Sequence, residues 1–179
     1  VRILGSGTAR QFATASILVV ASLMVAHVTS ASGSTAGDSN VVVLLNTSVA
    51  HADIDAGAES ELLRLVNEAR AARGLPHLYM DASLRFVARE HSTDMAVHGY
   101  VGHGSLTGRS FLDRLAPVVR SGLVGENVTL AQTVDQAHTI FLASTGHFQN
   151  IMNPEFHRIG IGVAEAGSAG LAVTEDFAE

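Results

Sequence analysis

A chain of 179 residues with 47% hydrophobic content has room for one domain of ordinary size with a true core. Its formal net charge of −6 has no basic stripe set against it, which argues against a nucleic-acid partner. There is no cysteine, so disulfides, thiolate metal ligands and cysteine nucleophiles are all excluded.

The chain opens with Arg2 and Arg10 and no acid before a mostly apolar run over residues 12–28, followed by the small residues Thr29, Ser30, Ala31, Ser32 and Gly33. Basic, apolar, then small is the pattern of an export signal. Residues 1–31 are read as a signal peptide, with a cut after Ala31; the competing reading is a retained membrane anchor, although the run is short for a span. Residues 32–58 read as a linker or leader around the apolar island Val41, Val42, Val43, Leu44 and Leu45, which is either an edge strand or a weak leader element. The main domain is placed at 59–179.

Leu62, Leu65, Val66 and Ala69 form one apolar stripe, which predicts a helix over 60–73. Glu59 and Glu61 near its start and Arg70 and Arg73 near its end suit the helix dipole. Gly74 and Pro76 stop it. Asp81 has the character of an N-cap for a second helix from Ala82 to about Val97, with Leu84, Val87, Ala88, His91 and Met95 on one face. His91 is thus either a core histidine bonded to a carbonyl or a member of a site rim. Residues 98–108 read as a Gly- and Ser-rich loop holding His98, Tyr100 and His103. A short helix around 111–115 ends before Pro117. Residues 122–131, with Gly125, Glu126 and Asn127, read as a short strand or a turn. A third long helix covers about 134–145, then a Gly-containing bend carries His147 and Asn150. Strands at about 158–165 and 170–177 form a hairpin-like pair, with Ile159, Ile161 and Val163 on one face. Helices first and a hairpin last predict an α+β fold.

His103, Glu126 and His147 are the groups able to carry chemistry. Two imidazoles and a carboxylate can hold zinc with a position left for water, or serve as acid and base. Asn127 and Asn150 can orient them, and His91 and His157 are further cleft candidates. No His-Glu-x-x-His and no Gly-x-Ser-x-Gly is present. The plain alternative is that each of these polar groups is satisfied locally.

Several segments in order are similar to one family. They are Asn67-Glu68-Ala69-Arg70-x-x-Arg73-Gly74-Leu75-Pro76, then Leu84-x-x-x-Ala88-x-x-His91-Ser92-x-Asp94-Met95, then His103-Gly104-Ser105 and Gly125-Glu126-Asn127. Ser144-x-Gly146-His147-x-x-Asn150-Ile151, Phe156-x-x-Ile159-Gly160-Ile161-Gly162-Val163 and Asp176-Phe177 complete the series. From Leu62 to the end the chain resembles the CAP superfamily (cysteine-rich secretory, antigen 5 and pathogenesis-related 1 proteins) in its disulfide-free bacterial form. The resemblance implies an α-β-α sandwich with a small antiparallel sheet between helical layers, and an extracellular or cell-envelope location. It also implies a cleft lined by two histidines and two acids, which holds a divalent metal in some members. His103 matches the first histidine and Glu126 the first acid. The second histidine is His147 or His157, and the place of the second acid falls near Ser144, where this chain has no carboxylate. Phe141 stands where a Trp is common. The function expected from the resemblance is an extracellular binding or interaction module for lipid or cell-envelope material. The one cofactor the resemblance suggests is a divalent metal such as zinc, and the membrane is touched only through an uncleaved N-terminal segment. The alternative is a hydrolase in which a divalent metal such as zinc, near His103, Glu126 and His147, activates water, with Glu126 as the catalytic base. The fold does not choose between binding and catalysis.

Overall fold

The computed structural model describes residues 51–179 and the backbone of two short strands, β1 (Val25–Val28) and β2 (Val42–Leu44). The remainder of the apolar run at 12–28, the expected cut site and the rest of the 32–50 stretch lie outside the described residues.

The first helix, α1 (Ala56–Ala71), starts four residues earlier than its apolar stripe predicts. The reason is its cap: the Asp55 carboxylate accepts from Ala58 N at 2.8 Å. The chain just before it is pinned to the sheet, with Glu165 N donating to Asp53 O and Asp55 N donating to Val163 O, both at 2.9 Å. After β3 (Tyr79–Met80), Asp81 caps α2 (Ala82–His98) by accepting from Ser83 N and Leu84 N. Gly99, at φ 65°, ends α2 in the left-handed conformation that suits glycine. The expected loop then begins with a strand, β4 (Tyr100–Gly102), paired antiparallel to β2. Ser110 and Asp113 form a reciprocal capping box on α3 (Phe111–Leu115). The ambiguous stretch that follows is a ten-residue strand, β5 (Gly122–Ala131). It leads to α4 (Val134–Ala143), α5 (Thr145–Ile151), β6 (Arg158–Glu165) and β7 (Leu171–Ala178).

The main sheet runs β1-β5-β7-β6-β3. Its pairs are antiparallel except β3–β6, which is parallel, so the expected antiparallel sheet is in fact mixed. Helical layers cover both faces. Ile159, Ile161, Val163, Val173 and Phe177 pack with Leu62 and Val66 of α1, Phe141 of α4 and Ile151 of α5. The opposite face carries Val124, Val128, Ala164 and Ala172, which pack with α2, α3 and β4 through Leu84, Met95, Tyr100, Phe111 and Leu115. Period-2 alternation along each strand therefore serves two cores at once.

Two glycines set the spacing of that second face. A Cβ on Gly160 would lie 2.2 Å from the Leu84 carbonyl carbon, and one on Gly162 would lie 2.4 Å from Ala88 O. The backbone of α2 rests directly on β6, and only glycine permits it.

Candidate functional site

The bend expected at Ser144–Ile151 is a helix. Ser144 is extended (φ −89°, ψ 125°), ends α4, and opens α5 with its hydroxyl facing His147 N at 3.5 Å. His147 and Asn150 therefore stand on one short helix, three residues apart and on one side. Asn150 donates to Glu126 O at 3.1 Å and to Asn127 Oδ1 at 2.9 Å. Asn127 donates to His147 O at 3.2 Å and to Glu175 Oε2 at 2.9 Å. The two carboxamides thus rivet α5 to β5, and they leave no space over Gly125. A Cβ there would lie 2.8 Å from Asn150 Oδ1.

On the opposite face of β5, Glu126 is fully buried. One of its oxygens accepts from His103 Nδ1 at 2.9 Å and the other is ion-paired with Arg114. Arg114 also donates to His103 O at 2.9 Å. Burial pushes the Glu126 carboxyl up, but the Arg114 charge and the His103 hydrogen bond outweigh it and hold the group at about 2. Because Nδ1–H of His103 is committed to a carboxylate, its Nε2 is left as the free ring atom.

Across the strands, Glu126 faces Asp176 and Asn127 faces Glu175. Both of these acids are also fully buried. Burial raises Glu175 to about 8, against the partial relief of the Asn127 hydrogen bond. Burial and then the Glu126 charge raise Asp176 well above the usual carboxylate range. Neither oxygen of Asp176 has a hydrogen-bond partner among the described residues. One arginine therefore serves two buried acids, Glu126 and Asp176, while Glu175 on the other face has only the Asn127 hydrogen bond.

The structure joins some of the expected site residues and separates others. His103 and Glu126 are in direct contact, and Asn127 and Asn150 link them to α5. His147 is 2% exposed, and burial first, then the nearby His103, lower it to about 4. Its ring meets Phe141 edge-on at 5.1 Å, and the His103 ring lies 6.4 Å from Phe111. His157, the other candidate for second histidine, is exposed at the start of β6 and its side chain makes no bond to this group. His91 takes the first of its two readings: Nε2 donates to the Gly102 carbonyl at 2.8 Å. Ser144, near the expected second acid, is a helix cap.

Arg114 and Glu175 were not singled out from the sequence, and Asp176 was noted only as part of the Asp176-Phe177 segment, not as a site residue. A signal for each exists there: Arg114 lies one turn from Phe111 on the buried side of a short helix, and the two acids interrupt an otherwise apolar strand.

Among the described residues, no three His, Asp or Glu side chains are grouped as a metal ion requires. Both Glu126 oxygens are occupied, and the adjacent guanidinium repels a cation. In this arrangement His103, Glu126 and His147 do not offer zinc three ligands. Glu126 holds the His103 ring through the Nδ1 hydrogen bond.

The model of the CAP cysteine-rich secretory protein family matches residues 63–177. Uncharacterized protein YkwD of Bacillus subtilis is 35% identical over 112 residues, covering 62% of this chain and 44% of that protein. Uncharacterized membrane protein YlbC of the same organism is 33% identical over 113 residues, covering 62% of this chain and 32% of that one. The chain spans less than half the length of either relative. An extracellular protein of Bacillus anthracis containing an SCP domain superposes with TM-score 0.59 at 28% identity, covering 69% of this chain and 40% of that one. An outer surface protein of Borrelia burgdorferi gives TM-score 0.66 at 20% identity, covering 73% and 98%, a likeness of fold alone. With the family model spanning α1 to β7 and the His103, Glu126 and His147 segments inside it, the chain belongs to the CAP cysteine-rich secretory protein family, as a member without cysteine.

Proposed function

We propose that this chain works outside the cytoplasm as a binding module, with the rim formed by His103 and His147 meeting a ligand of lipid or cell-envelope origin. One observation carries the reading: the single ionised carboxylate of the site is buried and spent on Arg114 and His103, leaving no acid free to act on a substrate. What remains at the rim is an uncharged His147 flanked by Phe141, and a His103 ring near Phe111. A buried lining of this kind suits an apolar ligand with a few polar atoms better than an ion. The similar SCP-domain protein of Bacillus anthracis is extracellular, which supports the location. So does the export pattern of residues 1–31, whose removal would take β1 away and leave the outer edge of β5 unpaired over residues 122–125. Mass spectrometry of protein recovered from the medium tests the cut; an intact residue 1–31 segment refutes it.

The binding reading is tested by co-sedimentation with vesicles of total envelope lipid and, separately, with insoluble envelope material. One of the two should retain the protein, and His103→Ala with His147→Ala should weaken retention about tenfold. Retention by neither overturns the reading. So does zinc-stimulated hydrolysis of any ester or amide that Glu126→Gln abolishes.

A further inference from the structure

The outer margin of β5 is paired over residues 122–125 by β1 and by no other described strand. Leu123 O accepts from Glu179 N at 3.1 Å, so the polar backbone groups of Leu123 face the β7 side. Alternation along the strand turns those of Gly122, Val124 and Glu126 outward. Glu126 O is already taken by the Asn150 carboxamide at 3.1 Å, which closes this row at one end. Gly122 and Val124 remain, and β1 lies antiparallel there, with Val28 opposite Gly122 and Ala26 opposite Val124.

Open strand edges invite pairing with foreign chains, and proteins guard them with charge, proline, bulges or short length. The opposite margin of this sheet follows that rule. Strand β3 is two residues long, and Asp81, directly after it, is paired with Arg158 at 3.2 Å. The segment Gly122-Leu123-Val124-Gly125 carries no charge and no proline. Its two side chains are apolar and buried with β1 in place, and a glycine at each end leaves nothing to shield the backbone. This stretch of edge is built to be covered.

Removal of residues 1–31 takes its cover away. We propose that the 122–125 edge of β5 is then a docking site for an extended apolar segment of a partner protein, which lies antiparallel as β1 does. The inference rests on the cut proposed above. A row of alternating N–H and C=O groups is matched by another extended backbone, which selects a peptide. The chain's remaining apolar island before α1 is already spent, since Val42–Leu44 is β2 on β4. A second copy joined edge to edge would pair over about 13 Å of strand, far less contact than the roughly 1,200 Å² of a stable interface. The edge is separate from the His103–His147 rim.

The test uses protein recovered from the medium, weighed first by mass spectrometry. A mass that still includes residues 1–31 leaves the edge filled by β1 and overturns the cut and the docking together. With the cut verified, amide hydrogen exchange is followed with and without the acetylated, amidated peptide of residues 23–30, which carries the β1 sequence. The peptide should slow exchange at Gly122 and Val124 at least about tenfold, with half the effect reached on the order of 100 µM, and leave the His147 amide unchanged. The Ala26→Pro form of the peptide lacks the N–H that faces Val124 and should slow neither. Unchanged exchange at about 1 mM peptide overturns the docking while the cut stands, and so does equal protection by the proline form. Protection that rises with protein concentration alone, with a doubled mass in sedimentation, gives the edge to a second copy and overturns it as well.

Discussion

Two arginines are buried in this domain, and they are buried for different reasons. Arg70 of α1 is surrounded by carbonyls: Nε donates to Pro76 O at 2.8 Å, and the terminal nitrogens donate to Ile151 O at 2.7 Å, Asn153 O at 2.9 Å and Phe156 O at 3.3 Å. It closes off the end of α5 and the turn that leads to β6. No acid is near enough to act on it, and burial alone lowers its pKa. Arg114 of α3 sits beside Asp176 and against Glu126, whose charge and hydrogen bond outweigh the burial that opposes them, and it still has an unpaired Nε. The first is a staple with its hydrogen bonds complete. The second holds together a crowded group of acids that a purely structural core would avoid. Satisfied burial marks architecture here, and unsatisfied burial marks the site.

The contrast is open to direct attack. The largest effect should come from Arg114→Leu, which strands an ionised Glu126 in the interior at a cost of about 3–5 kcal/mol in urea unfolding. Adding Glu126→Gln should restore about 1–3 kcal/mol of that loss, because the second change removes the uncompensated charge. Arg70→Leu should cost about 3 kcal/mol by leaving carbonyls without donors, and no replacement of an acid should rescue it. If Glu126→Gln rescues both variants alike, the distinction between staple and site fails.

The acids behind the site should appear in the pH dependence. Glu175 is raised to about 8 when folded, so between its unfolded value and pH 8 the folded state holds a proton that the unfolded state has released. Its contribution to stability is complete below the unfolded pKa and is lost as pH rises through 8. His91 and His147, both lowered to about 4 by burial, act in the opposite direction, and their contribution is lost as pH falls from 6.5 through 4. Above pH 6.5 the acids are therefore left to set the slope. Stability should fall there by up to about 1.4 kcal/mol per pH unit for each proton, and Glu175→Gln should flatten the curve. The smallest effect belongs to Asp176→Asn. It swaps one neutral buried group for another and should change stability by less than about 1 kcal/mol at pH 7, well below the loss in Arg114→Leu. A loss as large as that would mean that Asp176 is ionised.

The helices and the final hairpin were legible because apolar period and turn residues agreed in them, as in the stripe of Leu62, Leu65, Val66 and Ala69. The segment around Ser144 was not. A serine that ends one helix can begin the next in a single residue, and Gly146 in the first turn of α5 looks like a bend. Strand β5 was obscured because Glu126 and Asn127 sit where alternation would place one apolar residue. Arg70 resembled a dipole-complementing surface residue, since nothing local in the chain foretells contacts with carbonyls about eighty positions away. The site was half legible. His103, Glu126 and His147 stood out by chemistry and by resemblance, whereas Arg114 and Asp176 acquire meaning only through the register of β5 on β7 and the seating of α3.

Gly160 and Gly162 decide where the domain can yield. With α2 backbone lying on β6 backbone, there is no side-chain layer to slide or repack along that seam, so the α2 side behaves as a rigid plate. The opposite margin of the sheet is held differently, by β1 at one end and by the carboxamides of Asn127 and Asn150 at the other. A side chain at Gly160 or Gly162 would therefore have to lift the α2 backbone off β6, because there is no side-chain tip there to move aside.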